Sequence, residues 1–448
     1  MASVSLDQVV SLTAVNTFGT WRFQQNWKPL HIVDAEGCWF TDASGKKYLD
    51  FSSQLMCSTL GHKNRAVIDS IKKQAEELAY IAPSFATTVR AELSQLLLEV
   101  LPKGLTKFFF TTSGTDGNEA AFKIAKMVTG KSKIIARYRS YHGATMGAIA
   151  ATGDVRRIPM EPSGKIPGVI FAPEANCYKC PLGHAYPDCN VACVEYIDHM
   201  VRNEGDVAAV LVEPIVGTNG VLIPPDEYMP RLREICTEND VLLIADEVMT
   251  GWGRTGAWFA VDHWKVVPDI LVTAKGITGA YAPLGLCATT EKVASYFDDH
   301  FFAHGHTYEA HPLMLAPAVA AINELKRMNL IERSKTMGKV LDEKLNALKT
   351  GHPSIGDVRV KGLFGAVELV RDRETKEPFN TGADKLRGKP LLVDKVSAEM
   401  MKHGVFLLSW MSHFVVAPPL TVTEQELEIG VRALDEALSI ADAALSPA

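Results

Sequence analysis

Val241-Leu-Leu-Ile-Ala-Asp246 and Asp269-Ile-Leu-Val-Thr-Ala-Lys275 are two apolar runs of strand length, and each ends on a charged side chain. Such short runs, rich in branched residues, predict strands buried on both faces. Outward from them lie further runs of the same kind: Lys107-Phe-Phe-Phe-Thr-Thr112, Ile134-Ile-Ala-Arg-Tyr138 and Val207-Ala-Ala-Val-Leu-Val-Glu213. Apolar residues at helical spacing fall between them, over Thr115 to Val128 and Tyr228 to Glu238. Alternation of this kind from about residue 105 to 290 predicts an α/β fold, a mainly parallel sheet with helices on both faces. Ligands of such sheets bind beyond the carboxyl ends of the strands. Glu213, Asp246 and Lys275 all occupy those ends.

The flanks read differently. Gly37 to Asp42 and Lys47 to Phe51 form a hairpin about the turn Asp42-Ala-Ser-Gly45, and a helix follows from Asn64 to Leu78. After about residue 312 one long helical segment runs toward Thr350. Short strands follow at 357–360 and 364–369, then a helix from Leu391 to His403. The expected division is an N-terminal segment of a small domain (1–62), a large domain (63–325) and a C-terminal small α+β domain (326–448).

Composition excludes several classes. The 448 residues suffice for more than one core. The chain is 47% hydrophobic and 22% charged, and its net charge of −6 has the wrong sign for a nucleic-acid partner. No apolar stretch is long enough for a membrane span. The first residues lack the basic and apolar regions of a secretory signal, so the expected location is the cytoplasm. Eight cysteines in such a chain read as reduced thiols.

The two charged strand ends define a chemistry. A lysine amine at such a position can bind C4′ of pyridoxal phosphate (PLP) as a Schiff base, and a carboxylate can keep the pyridine nitrogen protonated. Lys275 and Asp246 are that pair. The bland alternatives are a surface lysine and a helix cap, but the neighbours of both residues are apolar or small, where lysine is rarely found unless paired. Upstream, Ser113-Gly114-Thr115 passes from strand to helix. Gly114 lets the backbone approach an anion, and the helix N-terminus offers free N–H groups to it. The same three residues also read as a plain N-cap. Tyr141 and His142 follow a strand end and are assigned to the cofactor ring, with Val248 on its other face. Tyr141 reads equally as a loop aromatic.

Glu213-Pro-Ile-Val-Gly-Thr-Asn-Gly-Val221, Ala245-Asp-Glu-Val-Met-Thr-Gly-Trp-Gly-Arg-Thr-Gly256, Thr273-Ala-Lys-Gly276 and His306-Thr-Tyr-Glu-Ala-His-Pro312 occur in that order. Together they resemble the class III (ω-amino acid) aminotransferases of the fold-type I PLP enzymes, over nearly the whole chain. The resemblance implies a seven-stranded large-domain sheet. It implies Lys275 as Schiff-base lysine and proton shuttle, Asp246 as ring-nitrogen partner, Tyr141 on the ring, and Gly114 and Thr115 on the phosphate. It places Thr307 at the phosphate of a neighbouring subunit, hence a homodimer with shared sites, or a tetramer. It places Glu213 near the substrate, paired with an arginine in some members.

The chain departs from the family pattern at several points. Relatives often carry an arginine shortly before the Pro-Pro-Leu segment, but Val405 to Leu420 contains none. Arg22 is one candidate substitute for binding a carboxylate, and a solvated surface residue is the other reading. Met249 stands where many relatives have a glutamine that contacts the cofactor. Phe18, Trp21, Leu55, Met56, Phe85 and Trp410 are expected to line an apolar donor pocket, some of them from the partner chain. Cys177, Cys180, Cys189 and Cys193, with His184 and Asp188 between them, have spacing similar to a zinc site, but a thiol-rich loop before a helix at Glu195 to Asn203 is the reading adopted. No metal is assigned.

The expected reaction is transfer of an amino group from an ω-amine, taurine or β-alanine to a keto acid, pyruvate, by ping-pong kinetics through Lys275. A PLP-dependent aminomutase or decarboxylase of the same fold is an alternative. A zinc- or partner-binding protein using the cysteine loop is another.

Overall fold

The computed structural model describes residues 5–163 and 166–445. Its centre is a seven-stranded sheet of Leu105–Thr111 (β1), Lys133–Arg137 (β2), Val169–Ala172 (β3), Val207–Val212 (β4), Leu242–Asp246 (β5), Ile270–Thr273 (β6) and Gly285–Thr290 (β7). The spatial order is β1-β7-β6-β5-β4-β2-β3. Pairings among β2 to β6 are parallel; β7 is antiparallel to both β1 and β6. Every residue of β4, β5 and β6 is buried. That accounts for their unbroken apolar runs: helices cover both faces, so no side chain alternates into water.

β3 and β7 lie outside the strands expected from the sequence; β7 makes the sheet mixed. The helices Gly114–Thr129, Ala192–Glu204 and Tyr228–Glu238 agree with the periodicity to within a few residues. The single segment expected after residue 312 is instead two helices, Pro312–Arg327 and Leu330–Gly351. Asn329 separates them with a φ of 51°, a left-handed conformation that asparagine tolerates better than most residues.

Two smaller sheets flank the centre. One pairs 32–36, 39–42 and 47–50 with the distant strand Val405–Phe406, which runs parallel to Leu49 and Asp50. The other joins 355–360, 365–372, 413–416 and 408–410 in antiparallel order. The two ends of the chain are therefore knitted together. Arg254, fully buried, fastens them to the large sheet: its guanidinium donates to Leu363 O (2.9 Å), Pro418 O (2.6 Å) and Ser53 Oγ (3.1 Å). No helix among the described residues is long and apolar enough to cross a membrane.

Candidate active site

A cavity of about 560 Å³ opens at the carboxyl ends of β1, β2, β4, β5 and β6. Every cofactor-binding residue assigned from the sequence lines it except Thr307.

Asp246, the last residue of β5, is 3% exposed and tightly held. Its Oδ2 accepts from Asn118 Nδ2 at 2.8 Å and lies 2.8 Å from His142 Nδ1; its Oδ1 accepts from Val248 N at 3.0 Å. A carboxylate can only accept, so His142 carries its proton on Nδ1. Asn118 also donates to His142 O (2.7 Å), which locks the pair together. Four acceptor sites on the carboxylate are thus not exhausted, and Oδ1 retains capacity for a further donor, such as a ring N–H.

Lys275 follows β6 with a φ of 49°. Among the described residues its amine has neither an ion pair nor a hydrogen bond. A partly buried lysine without a partner, two residues past a central strand, is unusual in a protein built only for stability.

The anion cup lies at the N-terminus of the helix Gly114–Thr129. Ser113 caps it by accepting from Asp116 N at 3.3 Å, so the N-cap reading is correct for this residue. Gly117 N bonds Ser113 O. Of the first four N–H groups of the helix, Ser113 takes those of Asp116 and Gly117; those of Gly114 and Thr115 are left, and both residues border the cavity. A side chain at Gly143 would put its Cβ 2.1 Å from Thr115 Oγ1, and one at Gly114 would meet Val248 at 2.7 Å. Both glycines keep the cup open by close approach. Thr115 Oγ1 is itself held by the N–H groups of Ala144 and Thr145, each at 3.2 Å.

Glu213 is buried, and burial pushes its carboxyl above the ordinary range. The partners of its carboxylate are backbone N–H groups. Its oxygens accept from Tyr141 N (3.0 Å) and Gly217 N (2.7 Å), while Arg137 donates to its backbone oxygen. Met249 receives the Thr218 hydroxyl on sulfur at 3.5 Å. Tyr141 carries the Arg156 guanidinium on its ring at 3.8 Å, with Trp21 edge-on at 6.1 Å.

The donor-pocket residues are dispersed. Trp21 and Trp410 line a second cavity, of about 740 Å³, which shares Ala144 with the first. Arg22 lines it too. Met56 is buried in an apolar cluster with Ile215 and Met249. Phe18, Leu55 and Phe85 are exposed and border neither of these cavities within one chain. Thr307 is likewise exposed, in a separate depression beside His304 and Tyr308. Asn118, Glu119 and Arg156 were not singled out from the sequence. Glu119 braces the loop after Gly143 by accepting from Thr145 Oγ1 (2.6 Å), Gly147 N (2.8 Å) and Ala148 N (3.0 Å).

All eight cysteines are free thiols. The loop bearing Cys177, Cys180, Cys189 and Cys193 surrounds a cavity of about 20 Å³, and burial raises the Cys193 thiol to about 11. No group of three or more metal-ligating side chains is arranged to hold an ion among the described residues.

An unpaired lysine, a fixed carboxylate and a helix-end anion cup fit PLP, and this fold with this site defines a fold-type I PLP enzyme. The aminotransferase class-III family model matches residues 23–438, and the chain belongs to that family. It is 34% identical over 438 residues to the taurine–pyruvate aminotransferase of Bilophila wadsworthia, covering 93% of each chain. It is 34% identical over 432 residues to the adenosylmethionine-8-amino-7-oxononanoate aminotransferase of Geobacter sulfurreducens, covering 92% of each. Among solved structures, taurine:2-oxoglutarate aminotransferase from Bifidobacterium kashiwanohense, in complex with PLP and glutamate, superposes with a TM-score of 0.93 at 35% identity over 100% of both chains. The protein is a PLP-dependent aminotransferase.

Proposed function

We propose that this aminotransferase moves an amino group from an ω-amino acid or acid-bearing primary amine, of the taurine or β-alanine type, to pyruvate. The observation that carries the reading is the unpaired Lys275 amine in one cavity with Asp246. When bound, PLP supplies an electrophilic carbonyl carbon and an electron-withdrawing ring. Lys275 would take the proton from the donor carbon and deliver it to C4′ of the cofactor, and would make the reverse transfer, from C4′ to the acceptor carbon, in the second half of the exchange. Asp246, fixed by Asn118, His142 and Val248, holds a proton at the ring nitrogen. The N–H groups of Gly114 and Thr115 hold the phosphate. Tyr141 and Val248 enclose the ring.

Thr307 lies outside the Lys275 cavity, and Phe18, Phe85 and Phe301 are exposed large hydrophobics. These features support a homodimer in which Thr307 completes the neighbour's phosphate site.

A panel of amines with pyruvate, scored for alanine, tests the substrate class. Taurine and β-alanine are expected to react with ping-pong kinetics. Turnover with 2-oxoglutarate but not pyruvate would overturn the acceptor assignment. Reaction confined to adenosylmethionine and 8-amino-7-oxononanoate would overturn the donor class. Lys275→Ala is expected to abolish amino transfer and borohydride trapping of PLP while the protein stays folded by circular dichroism.

A further inference from the structure

The second cavity, behind Tyr141, holds charges that the chemistry at Lys275 leaves unused. Arg22, Arg156, Lys385 and Lys389 line it, against one acid, Asp394. Two of the cations are neutralised. Arg156 grips Asp154 through Nε and Nη2, the latter at 2.6 Å, and Lys389 pairs with Asp384 at 2.8 Å. Asp394 accepts from Ser409 Oγ at 2.7 Å. Lys385 and Arg22 have no carboxylate within ion-pairing distance among the described residues. Lys385 is half-buried, with its amine 4.4 Å from the centre of the Trp410 ring. Burial pushes the Lys385 amine below its ordinary range, Arg156 and the exposed Arg22 add to this, and Asp394 and Asp154 offset it only in part, so an added anion would relieve the site.

The route between the two cavities is defined by contacts. Tyr141 borders the Lys275 cavity, and Arg156 stacks on it at 3.8 Å. Arg156 lies 4.4 Å from the Trp410 ring, and Lys385 sits on that same ring. An acid group meeting Lys385 must therefore reach past the Tyr141–Arg156 stack. The stretch Val405 to Leu420 contains no arginine, and the strand Leu408–Trp410 leaves only apolar and hydroxyl side chains there.

We propose that Lys385, with Arg22 beside it, binds the distal carboxylate or sulfonate of donors long enough to reach it, so that the site favours such an acid-bearing amine over an equally long amine without the acid. The inference rests on the transaminase reading above and narrows its substrate class. The apolar walls from Trp21, Phe23 and Trp410 suit the methylene spacer, and the half-buried Lys385 with the exposed Arg22 suits its end.

The test compares 8-aminooctanoate with octylamine, and β-alanine alone, as donors to pyruvate with the PLP-loaded enzyme. The wild type is expected to favour the acid over the equally long amine by about tenfold or more in kcat/KM, as for a charged hydrogen bond. Lys385→Met keeps the packing on Trp410 and removes the charge. It should collapse that ratio about tenfold through KM, and Lys385→Arg should restore most of it. Arg22→Gln should lower the ratio to a smaller extent. A wild-type ratio near one, or a ratio unmoved in Lys385→Met, overturns the inference. If 8-aminooctanoate, β-alanine and octylamine all transfer no amine to pyruvate, the donor and acceptor reading above has failed, and this inference fails with it.

Discussion

His142 Nδ1 lies 2.8 Å from Asp246 Oδ2, and the two side chains are 0% and 3% exposed. The histidine is the donor, and its remaining nitrogen, Nε2, has no protein partner among the described residues. The pair therefore works as an orienter and an anion. Asp246→Asn keeps the shape and loses the charge, so kcat/KM should fall by about a hundredfold or more, the range typical for loss of a positioned proton partner. His142→Phe keeps the charge and loses the orienter. It should leave Asp246 one donor short and cost about 1–3 kcal/mol in PLP affinity. Steady-state kinetics and PLP titration by absorbance separate the two.

Gly143 supplies a second prediction. Its φ of 137° and the 2.1 Å that would separate a Cβ from Thr115 Oγ1 leave no room for alanine. Gly143→Ala should push Thr115 out of the anion cup. The expected result is PLP binding weakened about tenfold or more, through the loss of charge-assisted hydrogen bonds to the phosphate. Inorganic phosphate should also compete less well with PLP in the variant. Unaltered PLP affinity would show that Thr115 does not touch the phosphate.

Much of this site was legible because its residues stand at strand ends. The apolar runs ending at Asp246 and Lys275 mark both the buried strands and the positions that face a ligand. The helix after Ser113 is likewise readable from its cap and periodicity. β7 escaped because Gly285-Leu-Cys-Ala-Thr-Thr290 is short and nothing in its residues announces an antiparallel direction. The helix Glu424–Ala443 carried a readable signal, a capping box of Thr423 with Glu426 before a buried stripe at Leu427, Val431, Leu434 and Leu438. Asn118 was also within reach, one turn into the helix that begins at the phosphate cup. Arg156 was not: its place against Tyr141 depends on the Asp154 clamp and on Trp410, more than 250 positions away. The split at Asn329 turns on one left-handed residue that periodicity does not register.

Glu247, beside Asp246, gives stability a pH dependence. It is fully buried; Thr250 Oγ1 and Val261 N donate to it, and burial raises its carboxyl to about 7 from an ordinary 4.5. The folded state therefore binds the proton more tightly than the unfolded one. This contribution is fully present below pH 4.5 and is lost as pH rises through 7. Glu247→Gln mimics the protonated form: its amide oxygen can still accept from Val261 N while its NH2 group faces the Thr250 hydroxyl, which can turn to accept. The variant should match the wild type near pH 5 and gain up to roughly 3 kcal/mol relative to it by pH 9. Thermal melts across that range measure the difference. A gain that shrinks as pH rises would refute the burial argument.

Arg254 carries the last prediction. Its guanidinium is buried without a carboxylate in ion-pairing distance among the described residues, and desolvation lowers it to about 10. Its two Nη atoms serve three acceptors, on the segments that contain Ser53, Leu363 and Pro418. A planar fork can reach all three at once; a lysine amine on a shorter reach cannot. Arg254→Lys should leave at least one buried carbonyl unpaired and cost about 1–3 kcal/mol. Arg254→Ala removes the donor from all three, leaving the carbonyls of Leu363 and Pro418 without it while Ser53 Oγ keeps its bond to Ala417 O, and adds a cavity, so its cost should be larger, about 3–5 kcal/mol. The loss should appear in urea unfolding of the PLP-free protein. It should also appear as increased proteolysis near Ser53 and Pro418, because those segments lose the side chain that fastens them to the loop after β5. If the alanine variant instead unfolds at the wild-type urea concentration, the three hydrogen bonds do no more than offset the burial of the charge.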